Sequence, residues 1–532
     1  MAKKYFNVEG ACNPEEHYMI NLDQRILEIK ALVDHKKYFS IHRGRQYGKT
    51  TTLDLLQEKL REKYCVFYLS FEGLPEDVYQ CERTFCQTFA GLLYDTVVYK
   101  ETQGIAAQAA EALERMSRPD AEDASFRTLS NLITGVCQTS EYPVVLMIDE
   151  VDQAGGYPVF LSFLGMLRNK YQRQRTRPTF WSVILAGVYD IRNLRMKIRP
   201  EEAHEKNSPW NIAAKFTVDM RFSRDEIEGM LKEYEQDRQT GMDTAELAGL
   251  IYDYTSGYPV LVSSVCKIMD EELTGCETFE DIHLVWEKRG FLEAVKRFLA
   301  EKEPLFDSLA GKLQEYPKLR EMLYAMLFTG NRVLFNPDNS VIDIAAMFGF
   351  VKNDQGVLAV DNRIFEMRLY NLFLSEEEVN NQLFAAGTMD KNQFVQNGML
   401  NMELVLKKFL VHWGDLYRSA DEKFVEDYGR KFFLLYLTPI INGTGNYYIE
   451  SRTRDHRRTD IIVDYRGRQY IIEIKIWRGE EYNRRGEAQL ADYLESYHVK
   501  RGYLLSFNFN KNKVTGAKEI VCGDKEILEV VV

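Results

Sequence analysis

The chain has 532 residues, 45% of them hydrophobic, 12% aromatic and 28% charged, which is enough for about three to four domains with cores of their own. A formal net charge of −12 argues against a protein that coats nucleic acid over its whole surface. No apolar run reaches about 18 residues and the N-terminal Met-Ala-Lys-Lys-Tyr-Phe-Asn has no signal-peptide core, so no membrane partner is expected. The 8 cysteines form no CxxC pair and read as reduced thiols of a cytoplasmic protein rather than as disulfides or a zinc site.

The first strand candidate is 38–41, followed by Arg43-Gly44-Arg45-Gln46-Tyr47-Gly48-Lys49-Thr50 and the amphipathic run from Thr51. Strand, Gly-containing turn and helix start form the context of a phosphate-binding loop, because the first N–H groups of the helix and its dipole face an anion. In that reading Arg43, Gly44, Gly48, Lys49, Thr50 and Thr51 bind nucleotide. Lys49 reaches the β- and γ-phosphates and the Thr50 hydroxyl holds Mg²⁺. The spacing is one residue short: Gly44 and Gly48 enclose three residues, and Arg43 stands where the usual pattern has its first glycine.

Further strand candidates lie at 65–71, 143–148 and 180–186, separated by charged helical segments, the alternation of a parallel sheet with helices on both faces. Pro143-Val144-Val145-Leu146-Met147-Ile148-Asp149-Glu150 is an unbroken apolar run ending in two acids, suited to a strand buried on both faces whose C-terminal end meets ligand. Asp149 is the expected acid on the Mg²⁺ side, and Glu150 the residue expected to orient the attacking water. After 180–186 come Arg192 and Arg195, either of which is a candidate γ-phosphate sensor.

From Ser223 the pattern turns helical, with Ser223-Arg224-Asp225-Glu226 as a capping box and the Gly257-Tyr258-Pro259 turn between helices. Residues 305–375 carry short helices and a hairpin signal at Asp354-Gln355-Gly356, a winged-helix pattern without a basic recognition helix. The expected division is 1–235 for the nucleotide domain, 236–300 for a helical lid, 301–374 for the winged-helix-like region, 375–400 for a linker and 401–532 for a last domain.

That last domain contains Thr459-Asp460-Ile461-Ile462-Val463-Asp464-Tyr465 and Gln469-Tyr470-Ile471-Ile472-Glu473-Ile474-Lys475, two alternating arms around Arg466-Gly467-Arg468. Glu473 and Lys475 share a strand face. Closing the hairpin at Tyr465 and Gln469 sets Asp460 level with Ile474, on the opposite face, unless a one-residue bulge brings it round. Two carboxylates beside a lysine suit Mg²⁺ or Mn²⁺ binding and phosphodiester hydrolysis, with Asp460 and Glu473 on the metal. An amphipathic hairpin with a solvent-facing Glu-Ile-Lys fits the same spacing. From Tyr447 to Lys513 there are 14 Lys/Arg and 10 Asp/Glu, so 14 − 10 = +4, a locally basic stretch.

A helix carrying Glu426, the hairpin, a helix carrying Gln489 and Tyr493, and a strand at 501–507 together resemble the PD-(D/E)XK nuclease superfamily, with Thr459-Asp460 in place of Pro-Asp. The resemblance implies Asp460, Glu473 and Lys475 as catalytic, joined by Gln489, with Tyr493 and Glu426 as further positions. With the Lys49 loop, Ile148-Asp149-Glu150, Ser208-Pro209-Trp210-Asn211 and Gly257-Tyr258-Pro259, the whole chain resembles bacterial AAA-ATPase-like proteins, of the STAND kind, fused to such a nuclease domain. It implies an α/β multidomain fold: a P-loop parallel sheet, a helical lid, a winged-helix-like region and a C-terminal α/β/α nuclease-like domain. It also implies ATP with Mg²⁺ as cofactors, DNA as partner with RNA left open, and self-association as a further option. A non-catalytic nucleotide switch is the rival reading, and a nucleic-acid-stimulated ATPase motor the third.

Overall fold

The computed structural model describes residues 3–188, 210–277, 279–329, 332–378, 381–416, 426–449, 460–497, 499–510 and 513–532. Arg192, Arg195, Ser208, Pro209 and Thr459 lie outside them. The chain forms two compact units, the first being Met1–Tyr252, Ser256–Glu287 and Ile344–Gly349, the second Asp253–Thr255, Lys288–Asp343 and Phe350–Val532.

The first unit is built on four parallel strands, β1 (Tyr38–His42), β2 (Cys65–Ser70), β3 (Val144–Asp149) and β4 (Ser182–Gly187), in the spatial order β1-β4-β3-β2. All six residues of β3 and all six of β4 are buried, which is why these segments read as continuous apolar runs. Ala214 makes a parallel bridge to Phe39 on the other side of β1. Helices α1 (Asp23–Asp34) and α2 (Lys49–Leu60) flank β1 in sequence, and α3 (Glu82–Val98), α4 (Ala107–Ser117), α5 (Phe126–Thr139) and α6 (Pro158–Gln172) follow. One core cluster joins Phe67, Leu146 and Leu185 of the strands to Phe85, Leu129 and Phe163 of the helices. Two consequences of sequence are direct here: Ser223 and Glu226 cap α7 (Arg224–Arg238) reciprocally, and Pro259 opens α9 (Pro259–Lys267), after α8 (Thr244–Thr255).

The second unit begins with α10 (Lys288–Ala300), α11 (Pro304–Glu315) and α12 (Pro317–Phe328), the last two each started by a proline. The hairpin β5 (Val351–Asp354) and β6 (Val357–Val360) turns on Gln355 and Gly356, both at positive φ, as Asp354-Gln355-Gly356 predicts. After α13 (Arg363–Glu378), the stretch expected as a linker carries α14 (Gln382–Asp390) and the short pair β7 (Val395–Gln396) and β8 (Met399–Leu400). Then come α15 (Met402–Leu416) and α16 (Glu426–Ile441), which continues through Pro439.

The unit closes on a six-stranded sheet of β9 (Gly445–Ile449), β10 (Asp460–Tyr465), β11 (Arg468–Ile476), β12 (Arg501–Phe507), β13 (Gly516–Cys522) and β14 (Lys525–Val531), with α17 (Glu480–Ser496) between β11 and β12. Its order is β13-β14-β12-β11-β10-β9, parallel along β11, β12 and β14 and antiparallel at both sides. Among the described residues no helix is long and apolar enough to cross a membrane.

The hairpin register corrects the sequence expectation. Tyr465 pairs with Arg468, not Gln469, so the turn is the two residues Arg466 and Gly467, at φ 53° and 78°. Positive φ at both central positions is the turn that matches strand twist. Asp460 then pairs directly with Glu473, without a bulge. Counting the loop as three residues shifts every pairing by one and sets Asp460 opposite Ile474.

Candidate functional site

Loop 43–48 leaves the carboxyl end of β1 and enters α2, and β4 separates β1 from β3. Gly48 precedes the first helical residue at φ 73°, a left-handed conformation that glycine adopts without Cβ strain. Arg43 is not among the positive-φ positions, so the site of the usual first glycine accepts a side chain. Its guanidinium donates to His42 O at 2.8 Å and Val218 O at 3.3 Å, fixing the start of the loop. Within the shortened loop Gln46 takes a left-handed φ of 57°.

Lys49 is 6% exposed, and its ammonium donates to Gly44 O at 3.0 Å and Arg43 O at 3.2 Å. Burial pushes its pKa down, opposed by the carboxylates of Glu150, Asp152 and Asp149. A charged donor whose hydrogen bonds, among the described residues, go to neutral carbonyls has charge left to give to an anion. Thr50 Oγ1 donates to Asp149 Oδ2 at 2.8 Å, which brings the helix start and the end of β3 to one point. Asp149 Oδ1 accepts the Glu150 N–H at 2.8 Å. Glu150 itself sits at φ 52° and ψ 37°, an uncommon conformation for a non-glycine residue and a frequent one at functional sites. Burial pushes the Glu150 carboxyl upward, with Lys49 opposing. Thr51 Oγ1 accepts the Cys12 N–H at 2.9 Å.

That last bond points to what sequence reasoning missed. A cavity of about 370 Å³ adjoins the loop, lined by Gly10, Cys12, Tyr47, Thr51, Phe222 and Pro259 among others. Part of its lining is the N-terminal segment Asn7 to Cys12, which carries no motif. Tyr258 of the Gly-Tyr-Pro turn is also part of the arrangement: its hydroxyl donates to Arg45 O at 2.7 Å and its ring lies 4.2 Å from that of Tyr47. These residue types fit a nucleotide with its Mg²⁺: a buried ammonium, the N-terminal N–H groups of a helix, a hydroxyl–carboxylate pair and an adjoining cavity.

In the second unit, Glu473 and Lys475 are 2% and 3% exposed, and Lys475 Nζ lies 2.5 Å from Glu473 Oε1. The solvent-facing alternative for Glu-Ile-Lys is therefore excluded. Glu426, at the start of α16, accepts the Ile476 N–H at 3.3 Å. Arg430, four residues on, pairs with Asp427 at 2.8 Å and donates to Tyr370 Oη at 3.1 Å. Of α17, Gly486 packs on Lys475: a Cβ there would stand 3.6 Å from the lysine side chain. Gln489 is half-buried one turn on, and Tyr493 stacks on Tyr497 at 5.4 Å. The structure thus gathers Glu473, Lys475 and Glu426 around the end of β11, with the Asp460 backbone opposite Glu473. Among the described residues no three His, Cys, Asp or Glu side chains form a metal-holding group. Sequence reading missed Asn483, Ser506 and Glu529, which form a buried polar row beside this pair. Glu529 Oε1 accepts from Asn483 Nδ2 at 2.7 Å and from Ser506 Oγ at 2.9 Å.

No family model matches the chain. No curated protein matches it either. Among solved structures it is similar to a Walker-type ATPase of Pyrococcus abyssi, at 13% identity and TM-score 0.46, over 68% of this chain and 99% of that one. It is also similar to the Aeropyrum pernix ORC2 protein (13% identity, TM-score 0.40, 68% of this chain and 97% of that one). A third similar structure is the Aeropyrum pernix ORC1 protein in complex with DNA, at 10% identity and TM-score 0.30, over 67% and 94% of the two chains.

Proposed function

We propose that the chain binds ATP at the Lys49 loop and that nucleotide occupancy controls a metal-dependent nuclease in its C-terminal domain. The observation that carries the nucleotide reading is the 2.8 Å bond from Thr50 Oγ1 to Asp149 Oδ2, because a hydroxyl and a carboxylate so joined flank the place where a phosphate-bound Mg²⁺ is held. When bound, Mg²⁺ supplies charge neutralisation at the β- and γ-phosphates. The chain's own part is to place the Lys49 ammonium and the N–H groups of α2 against the phosphates and to seat the rest of the nucleotide in the adjoining cavity. Glu150 is the group positioned to orient water for hydrolysis.

The nuclease reading is supported by the pairing of Asp460 with Glu473 and by the buried Lys475 beside them. Asp460 and Glu473 would hold the metal, which supplies a hydroxide nucleophile and stabilises charge on phosphate. Lys475 would neutralise the phosphodiester. One observation favours the rival, a nucleotide switch whose C-terminal domain only binds nucleic acid or protein: Glu473 Oε1 is already paired with the Lys475 ammonium at 2.5 Å.

The test is Mg²⁺- or Mn²⁺-dependent cleavage of linear and circular DNA and of RNA, with and without ATP, for wild type, Asp460→Asn and Lys49→Ala. Cleavage lost in Asp460→Asn and uncoupled from ATP in Lys49→Ala supports the reading. A wild type that binds ATP and cleaves none of these supports the switch.

A further inference from the structure

At the carboxyl ends of β11, β12 and β14 the second unit opens a cavity of about 470 Å³, lined by none of the residues assigned above to catalysis. Parallel strands in open α/β sheets meet their ligands outside their carboxyl ends. Three side chains give this cavity its chemistry.

Trp477 directly follows β11, two residues beyond Lys475. Its N–H donates to Phe507 O at 2.8 Å, which extends the pairing with β12 into the cavity wall. The indole is half-buried, and among the described residues no ring stacks on it. Asn508 directly follows β12 and is 5% exposed. Its N–H donates to Val532 O at 2.9 Å, and its Oδ1 accepts the Asn510 N–H at 3.0 Å. Among the described residues its Nδ2 has no partner, which leaves an amide donor on the cavity lining. Lys518 of β13 lies with Nζ 2.8 Å from Oε2 of the fully buried Glu529, whose other oxygen is held by Asn483 and Ser506. Its side chain remains 54% exposed, so the ammonium is paired by charge with a buried carboxylate and stays accessible to solvent.

We propose that this cavity holds an unstacked nucleobase together with its phosphate. Trp477 stacks on the base, the Asn508 amide donates to an acceptor on the base edge, and Lys518 takes the phosphate. An indole face accepts every base, an amide reads one edge, and an ammonium on a phosphate adds affinity without sequence preference. A base inside a duplex has its faces covered, so the cavity selects an unpaired strand or a free nucleotide. The proposal rests on the nuclease reading of this unit and narrows its substrate to single-stranded nucleic acid.

The experiment measures binding by the full-length protein in EDTA, where metal-dependent cleavage is off. The probes are a labelled single-stranded oligodeoxythymidylate, the same strand in a duplex, and thymidine monophosphate. Wild type, Trp477→Ala, Trp477→Phe and Lys518→Gln are compared, each checked for an unchanged far-ultraviolet spectrum. The expected result is a loss of single-strand affinity of about tenfold in Trp477→Ala, largely restored in Trp477→Phe, with duplex binding unaffected. Monophosphate binding that depends on Trp477 as strongly as strand binding assigns the same chemistry to a free nucleotide. Equal single-strand affinity in wild type, Trp477→Ala and Lys518→Gln, or no binding by wild type, overturns the proposal. A parallel Mn²⁺ cleavage assay separates the two readings: Trp477-dependent binding without cleavage removes the nuclease and leaves the cavity's ligand, whereas cleavage indifferent to Trp477 does the reverse.

Discussion

Thr50 and Asp149 stand 99 positions apart in sequence, and the Thr50 hydroxyl donates to Asp149 Oδ2 at 2.8 Å. The bond exists because β1 and β3 run parallel with only β4 between them, so the helix start after β1 and the acid ending β3 emerge on one side of the sheet. Asp149→Asn keeps one oxygen that accepts from Thr50, gives up the Oδ1 acceptor of the Glu150 N–H, and removes the charge. ATP affinity in EDTA is expected to stay within a factor of about two, whereas the increment added by Mg²⁺ disappears. Calorimetric titration with and without Mg²⁺ checks this.

Arg43 occupies the position of the usual first glycine at a φ that any residue adopts. Restoring glycine is therefore expected to harm the protein. Arg43→Gly loses two guanidinium bonds and adds unfolded-state entropy, lowering stability by about 1 kcal/mol without tightening nucleotide binding. Gly48→Ala puts a side chain at φ 73° and costs about 1–2 kcal/mol. Chemical denaturation of both variants gives the comparison.

Glu150 has a carboxyl that burial raises above its ordinary value of 4.5. In the window above 4.5 the folded state holds more proton at this position than the unfolded state, so stability falls as pH rises through the folded pKa. Glu150→Gln removes that term. At neutral pH the variant is expected to melt higher than wild type, bind ATP normally and lose hydrolysis. Equal melting temperatures at neutral pH would contradict the electrostatic part, and retained hydrolysis the catalytic part.

Lys475→Ala strands the Glu473 carboxylate in a buried site and is expected to cost about 3 kcal/mol, so lost cleavage in that variant has a trivial explanation. The double variant Glu473→Gln/Lys475→Met removes both charges at similar volume. It is expected to recover most of that stability while remaining inactive as a nuclease. A double variant that cleaves would show that this pair does no chemistry.

The sequence exposed what is local. Strand, loop and helix around Lys49, the apolar run ending in Asp149, the capping box at Ser223 and the Asp354-Gln355-Gly356 turn each announce themselves within about ten residues, because each is dictated by its own backbone needs. The hairpin turn at Arg466-Gly467 is less legible: arginine is an unusual occupant of a positive-φ turn position, so the pattern suggests a three-residue loop, one residue out of the observed register. Cavity walls were not legible. Asn7 to Cys12 meet the Lys49 loop through backbone and shape, and Asn483, Ser506 and Glu529 meet only when α17 packs across β12 and β14. Such groupings depend on tertiary contact and leave no spacing in the chain.

The most direct test of the account is titration of ATP with Mg²⁺ into wild type and Lys49→Ala, each shown to unfold cooperatively. The account predicts saturable one-site binding in wild type and at least about tenfold weaker binding in Lys49→Ala, since a buried ammonium facing phosphate contributes more than about 1.4 kcal/mol. Equal affinity in the two proteins, or no binding by wild type, would contradict it.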